Sequence, residues 1–316
     1  MRVHLRGVGL ALALQGACDA PTARVADETG EDSDPPAAPP ERLSCPPEAA
    51  QAVAGAVVTD PRVTETSGLV ASRTRPGSWW LHNDSGDKPR VLAIGADGAV
   101  VAEVTLSGMT AADVEDLTWL PSDDGDVLVL GDIGDNARAR VGVWLVQTPP
   151  LDPAAGDVTV EVTPRTLVYG DDLRHDAETL LTDPLDGALY VVSKELIEPV
   201  ATLYRATTGD EADVLEVVAT VDVGRLGAPA ATFTGGDISP DGRWIALRTY
   251  DRGWVFPRPR GTTVADALQA EPCVLDLQPQ RQGESLAFDP QGLGLATLSE
   301  GEGQTLWTYV WGGVVE

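Results

Sequence analysis

Short apolar runs separated by polar turns recur along the chain from about residue 50 to its end. The clearest run is 127–130, which has the length of a strand, stops at Gly131 and is followed by acids. Upstream, the acidic stretch 113–116 leads into a second apolar run, and segment 122–126 between the two runs has turn chemistry. The two runs are therefore predicted to form an antiparallel hairpin whose acidic ends lie together.

Five segments repeat this order of polar start, apolar strand, glycine-containing turn, apolar strand and polar end. Their anchor residues are 48, 63, 58 and 48 positions apart, and they are Ser67, Glu115, Glu178, Gly236 and Glu284. Repeats of roughly 40–50 residues made of short strands are typical of propeller blades. We predict an all-β, five-bladed β-propeller. Six blades are the alternative, if the two longer intervals each hide a half-blade.

Each repeat is expected to add a third and a fourth strand, but the fifth repeat reaches the end of the chain after its third. Residues 53–58 are apolar and available, so an N-terminal strand is predicted to complete the last blade and protect its edge. Residues 158–168 are expected as the outer strand of the second repeat, and 264–270 as a short helix in the fourth.

The N-terminal region predicts export. Residues 1–17 combine a basic start with a short apolar run and are interpreted as a signal peptide. The segment around Cys18 resembles a bacterial lipoprotein signal, although Leu14 and Gln15 depart from the pattern, and we expect a lipid anchor at Cys18 as the only membrane attachment. Residues 18–47 are acidic and rich in Pro and Ala, which is typical of a disordered tether, and the propeller is assigned to 48–316. The protein is expected in the periplasm or at the cell surface, as a monomer.

Two cysteines remain if Cys18 is lipidated. In an oxidising compartment Cys45 and Cys273 are predicted to pair, since one precedes the closing strand and the other begins the outer strand of the neighbouring fourth blade. Two free thiols are the alternative.

The formal charge is −27, with 49 acids against 22 Lys and Arg. No basic stripe exists, so a nucleic-acid partner is excluded, and a cation or a basic partner is favoured. Solubility alone is the competing explanation for this charge.

Strand starts and strand ends of the predicted blades share one face, where many carboxylates would repel one another unless a cation offsets them. Calcium suits carboxylate, amide and carbonyl oxygens. The predicted ligands are Asp132 and Asp135 first, followed by Asp84, Glu115 and Glu178. The competing interpretation is that these side chains cap loops by accepting backbone amides.

Two functions from different classes follow. The first is a binding or scaffold protein of the cell envelope with a cation-holding mouth and an unspecified small-molecule or protein ligand. The second is a Ca²⁺-assisted hydrolase with phosphoesters as the candidate substrates, in which Lys194 and Arg248 would hold anionic oxygens and His82 or His175 would shuttle protons. The binding function is preferred because no complete catalytic set is visible.

Segments at 66–69, 82–86, 131–136, 175–178 and 282–284 resemble exported bacterial β-propeller proteins of uncharacterised function, over about residues 50–316. They are more loosely similar to propeller phytase-like proteins. That second resemblance implies six blades and calcium dependence, but no phytase motif transfers residue by residue.

Overall fold

The computed structural model describes residues 43, 45, 51–207 and 213–310, and these form an all-β structure. The predicted signal peptide, Cys18 and most of the predicted tether lie outside the described residues. Within the described ranges, the helices are too short or too polar to span a lipid bilayer.

Strands make up most of this part of the chain. In chain order they are β1 (Gln51–Val58), β2 (Thr66–Ala71), β3 (Trp79–Asn83), β4 (Arg90–Ile94), β5 (Val100–Ser107), β6 (Val114–Leu120), β7 (Val127–Asp132), β8 (Val143–Gln147), β9 (Val158–Glu161), β10 (Arg165–Tyr169), β11 (Ala177–Thr182), β12 (Leu189–Ser193), β13 (Val200–Thr207), β14 (Asp213–Asp222), β15 (Phe233–Ile238), β16 (Trp244–Thr249), β17 (Gly253–Pro257), β18 (Cys273–Leu275), β19 (Ala287–Phe288), β20 (Gly294–Thr297) and β21 (Gln304–Val310). The predicted short helix is present as α1 (Val264–Ala267), which begins after Thr263, whose hydroxyl accepts the Asp266 amide.

These strands pair antiparallel in groups that follow the chain. The groups are β2-β3-β4-β5, β6-β7-β8-β10, β11-β12-β13-β14 and β15-β16-β17-β18. The last group is β19-β20-β21 and is completed by β1, which pairs antiparallel with β21. The N-terminal closing strand is therefore confirmed, and the strand order is that of a β-propeller.

The expectation of one outer strand at 158–168 is wrong. Residues 158–161 form β9, which pairs parallel with β5 at the outer edge of the first group. Residues 165–169 form β10, which pairs with β8 and also parallel with β14, so the second and third groups share one eight-stranded sheet. The break falls at Pro164, which has no backbone N–H to continue a ladder.

The apolar cores lie between groups rather than within one sheet. One core joins the first two groups through Val70, Trp80, Leu117 and Leu128. Another joins the first group to the last, with Leu81 packed in the same cluster as Leu298. Because every group packs on its neighbours in this way, the innermost strands are buried along nearly their whole length.

Buried carboxylates also connect neighbouring innermost strands. Asp116 on β6 accepts the amide of Leu180 on β11 at 2.9 Å, and Asp237 on β15 accepts the amide of Phe288 on β19 at 2.8 Å. Each of these acids also accepts the amide of its own next residue. The hydrogen bonds of these two carboxylates therefore connect neighbouring strands.

The predicted disulfide is confirmed. Cys45 and Cys273 are bonded, with their Cα atoms 5.5 Å apart. Cys273 begins β18, so the bond fastens the chain that precedes the closing strand β1 to the outer edge of the neighbouring group.

Candidate cation site at the acidic mouth

Irregularities in strand pairing place two glutamates at one end of the innermost strands. Where β6 pairs with β7 the extra residue is Glu115, and where β11 pairs with β12 it is Glu178. A bulge redirects its extra side chain out of the regular pleat. On β2 the corresponding irregularity contains Ser67, whose hydroxyl donates to the carbonyl of Glu115. Glu115 and Glu178 therefore hold matching positions on adjacent strands.

We call the carboxylates gathered at this end the acidic mouth; its members are Asp84, Asp113, Glu115, Glu178, Glu284 and Glu300. Asp84 directly follows β3, Asp113 directly precedes β6, and Glu115 is the bulge residue of β6. Ligand oxygens of these three side chains all lie within 4.8 Å of one another. Chain segments that are far apart in sequence thus converge on one point.

Gly134 lets these acids approach the β7–β8 loop. A Cβ at that position would lie 2.3 Å from Glu115 Oε1 and 2.5 Å from Asp113 Oδ2, closer than atoms can pack. Any side chain at 134 would therefore displace both carboxylates. Gly134 is the second glycine of the Gly-Asp-Ile-Gly-Asp-Asn segment, and its lack of a side chain leaves the space that these two carboxylates occupy. Its sequence context does not reveal this.

Burial and mutual repulsion raise the pKa values of these groups. Burial, reinforced by Asp84 and Asp176, raises the pKa of Asp113 to about 6. Burial, followed by the charge of Glu178, raises the pKa of Glu115 well above its usual range. The pKa values of Asp84, Glu284 and Glu300 are also raised, with burial as the first cause in each.

One of the glutamates of the mouth, Glu178, has a carboxylate oxygen without a hydrogen bond. Glu178 is only 4% exposed, and its Oε2 atom is buried without a partner among the described residues. Glu284 is equally buried, and after burial the side-chain hydrogen bond with Glu300 is the next cause that raises its pKa. An unpaired buried oxygen such as that of Glu178 carries a desolvation penalty that a bound cation would remove.

Lys194, which the sequence predicts to hold anionic oxygens, contacts the acidic mouth. Its Nζ atom contacts Oε1 of Glu178 and donates to the Tyr250 hydroxyl at 2.9 Å. The pKa of Glu178 is nevertheless raised, because burial outweighs the attraction of Lys194. The ion pair of this lysine is with Glu178, and its attraction, like that of Arg140, only partly offsets the charges of Asp84 and Asp113, whose pKa values stay raised.

Asp132 and Asp135, the first-choice ligands from sequence, lie outside the group formed by Asp84, Asp113 and Glu115. Asp132 accepts the amides of residues 112 and 113 and pairs with Arg140 at 2.7 Å. Asp135 accepts the amides of residues 139 and 140, both at 2.8 Å. Their contacts are those of loop caps, and their role as ligands stays a prediction.

The histidines predicted to shuttle protons make their contacts with other residues. His82 is 2% exposed, its Nδ1 atom contacts the Asn83 carbonyl at 2.8 Å, and burial lowers its pKa to about 4. His175 Nε2 lies 2.9 Å from Asp171, and its ring packs edge-on against Tyr169. Neither contact involves a carboxylate of the acidic mouth.

Arg248 is buried and bonded to the protein's own oxygens. Its guanidinium donates to the carbonyls of Thr249, Tyr250 and Ser285 and to the side chain of Gln280. Burial lowers its pKa to about 10. These contacts describe a side chain that organises strand ends, and the predicted role of Arg248 in holding substrate stays untested.

Sequence reasoning missed Asp113 as a candidate ligand. It precedes Glu115 by two positions, and residues two apart in an extended chain point to the same side. The spacing of Asp113 and Glu115 could therefore have indicated that both side chains face the same site. The acids at 132–135 form a denser cluster in the sequence and were chosen instead.

No known protein family matches the chain, and no curated protein matches it at the sequence level. Among solved structures, the PQQ-bound form of aldose sugar dehydrogenase from Streptomyces coelicolor is similar at 12% identity and a TM-score of 0.43, covering 84% of this chain and 100% of that chain. A likeness of this degree carries no argument about function. The resemblance to phytase-like propellers and to lipoproteins has no support from these comparisons.

Proposed function

We propose that this chain is an exported, five-bladed β-propeller that binds a divalent cation, Ca²⁺, at its acidic mouth and uses that cation to hold a ligand. The observation that carries the proposal is the convergence of Asp84, Asp113 and Glu115, with oxygens within 4.8 Å of one another. The five blades correspond to the four groups that begin with β2, β6, β11 and β15, together with the last group completed by β1.

Electrostatics supports a cation rather than a set of loop caps. At 4.8 Å, two unit charges at an effective dielectric constant of about 20 repel by about 3.5 kcal/mol. Among the described residues, the nearby basic groups are already engaged, since Arg140 pairs with Asp132 and Lys194 with Glu178. The group of three therefore keeps its repulsion unless protons or a metal ion neutralise it.

The donor set fits calcium. All the candidate ligand atoms are carboxylate oxygens, which hard cations prefer, and no sulfur or imidazole belongs to the group. The carboxylates come from separate loops and strand starts, which suits the larger and less regular coordination of Ca²⁺ better than the strict octahedron of Mg²⁺. Residues that would hold the ion are Asp84, Asp113 and Glu115, with Glu178 and Glu284 beside them.

Export is supported by the disulfide between Cys45 and Cys273, since such bonds persist mainly in oxidising compartments. The signal peptide and the lipid anchor at Cys18 remain parts of this proposal. Mass spectrometry of the protein purified from its native membrane fraction would identify a diacylglycerol-modified Cys18 or its absence.

Binding is favoured over hydrolysis because the hydrogen bonds of the predicted proton shuttles do not involve any carboxylate of the acidic mouth. His82 is buried with a pKa of about 4, and His175 pairs with Asp171.

Isothermal titration of Ca²⁺ and Mg²⁺ into chelator-treated protein tests the proposal. We expect saturable Ca²⁺ binding with one site per chain, weaker Mg²⁺ binding, and loss of Ca²⁺ binding in Asp113→Asn. The exposed Asp276→Asn, which changes the same charge after β18, is the matched control. Ca²⁺-dependent turnover in a phosphoester panel would instead support the hydrolase, and no binding of either ion would refute the cation site.

A further inference from the structure

A second site lies at the other end of the innermost strands. The Arg73 guanidinium, from the β2–β3 turn, stacks over the Trp119 ring with its carbon atom 4.2 Å from the ring centroid. Glu115 is near the start of β6 and Trp119 near its end, a separation of about 13 Å along an extended strand. The stack is therefore distinct from the acidic mouth.

Three hydrogen-bond donors in this stack are unused. Arg73 Nε, Arg73 Nη2 and Trp119 Nε1 are buried and have no partner within the described part of the chain. The remaining Arg73 nitrogen, Nη1, makes only a long 3.4 Å contact to the Asp289 carbonyl. By contrast, the nearby indole of Trp80 donates to Asp126 at 2.8 Å. Buried donors are normally satisfied, so three together indicate that an acceptor belongs there.

Neighbouring acids do not supply that acceptor. The Asp126 carboxylate already receives hydrogen bonds from Ser72, Trp80, Thr74 and the Arg73 backbone amide. Asp237 accepts two backbone amides between strands. Burial lowers the pKa of Arg73 even though Asp237, Asp126 and Asp289 attract its charge. These acids attract the charge of the guanidinium, but its Nε and Nη2 donors still have no acceptor among the described residues.

The space beside the stack suits a small ligand. A cavity of about 300 Å³ is lined by Arg73 and Trp119, by apolar side chains that include Val70, Leu120 and Pro121, and by the polar side chains of Ser122, Asp123 and Asp126. The Nε and Nη2 atoms form one edge of the guanidinium, whose two parallel donors match the two oxygens of a carboxylate. A phosphate dianion would meet stronger repulsion than a carboxylate from the four nearby acids, Asp123, Asp126, Asp237 and Asp289.

We propose that Arg73 and Trp119 form a binding site for a carboxylate group, with Arg73 Nε and Nη2 gripping both oxygens and Trp119 Nε1 donating a third hydrogen bond. The carboxylate belongs either to a small organic acid or to the C-terminus of a peptide. This site does not depend on the cation site and is not affected by its failure.

Nuclear magnetic resonance of the indole N–H groups tests the proposal in the intact protein. The chain has 8 Trp, and Trp119→Phe identifies the Trp119 signal while preserving an aromatic ring under Arg73. Titrating acetate against chloride at constant ionic strength should move that signal saturably in the millimolar range. The signal of Trp254, on a distant strand, should stay fixed.

Two variants separate the contribution of the paired donors of Arg73 from that of its charge. Arg73→Lys keeps the charge but loses the paired donors, so acetate should bind at least about tenfold more weakly. In Trp119→Phe, followed through the Arg73 Nε–H signal, binding should weaken but persist, and this variant decides the matter if Arg73→Lys fails to fold. A short peptide with a free C-terminus is compared with the same peptide whose C-terminus is amidated. If the free peptide binds more tightly than the amidated one, the natural ligand is a peptide C-terminus. If both peptides bind equally weakly, and more weakly than acetate, the natural ligand is a small organic acid.

Three outcomes would overturn the proposal. They are an unmoved Trp119 signal at saturating acetate, binding to folded Arg73→Lys that equals wild type, and phosphate binding as tightly as acetate. The first would mean that ordered water satisfies the donors.

Discussion

Asp113→Asn should make the cation-free protein more stable while removing its response to Ca²⁺. The change keeps the shape of the side chain but removes one charge from the group formed with Asp84 and Glu115. Each ionised pair within 4.8 Å repels by about 3.5 kcal/mol at an effective dielectric constant of about 20. Protons already relieve part of this at neutral pH, because the pKa of Glu115 is raised well above its usual range, and the partial exposure of Asp113 screens the remaining repulsion. We therefore expect a net gain of about 1–2 kcal/mol at about pH 8 in chelator.

Differential scanning calorimetry measures this change. A gain of this size corresponds to a rise in Tm of about 2–6 °C for a domain this large. With Ca²⁺ present, the Tm of the wild type should rise by mass action and that of Asp113→Asn should not. The difference in Tm between the two proteins should therefore shrink or change sign. Asp276→Asn should leave both curves unchanged. The reasoning fails if Asp113→Asn is less stable than wild type in chelator, or if it keeps the full Ca²⁺ shift.

Other predictions concern the fold and its pH dependence. Reducing the Cys45–Cys273 bond should cost about 2–4 kcal/mol and release β1 first, so hydrogen exchange in β1 that is unchanged by reductant would contradict this role. Arg258 and Asp183 form a buried bidentate pair at 2.7 and 2.8 Å, so Asp183→Asn should destabilise by about 3–5 kcal/mol in urea titrations, and a loss below about 1 kcal/mol would show that the pair is dispensable. Carboxylates of the acidic mouth have folded pKa values above their unfolded values, so the folded state holds extra protons between about pH 4 and pH 8. Stability in chelator should therefore fall as pH rises through that window, and the fall should shrink in Ca²⁺; a Tm that rises from about pH 5 to pH 8 in chelator would refute the linkage.

The propeller architecture was predictable because its physical requirements are local. Apolar runs of strand length, turn residues between them and acids at their ends define hairpins in sequence, and the missing last strand made the pairing of β1 with β21 the natural closure. The disulfide followed from the same closure. The pairing of 158–161 with β5 was not predictable, since an outer edge is open to any nearby strand and no periodicity specifies which one.

The candidate site was predictable as a region but not as a set of ligands. Strand direction alone places Asp84, Glu115 and Glu178 at one end. Whether a carboxylate faces the mouth or turns back to a backbone amide depends on loop geometry, which the composition of 131–136 does not encode. Asp132 and Asp135 turn back to amides, whereas Asp113, in a less conspicuous context, faces Glu115.

Locating the bound cation by crystallography is the most direct test of the proposed function. Crystals of the protein grown with Ca²⁺, or with Mn²⁺ as a stronger anomalous scatterer, would show where an ion binds. We predict one anomalous peak at about 2.2–2.6 Å from carboxylate oxygens of Asp84, Asp113 and Glu115. A peak held instead by Asp132 and Asp135, or no peak at the acidic mouth at saturating cation, would contradict it.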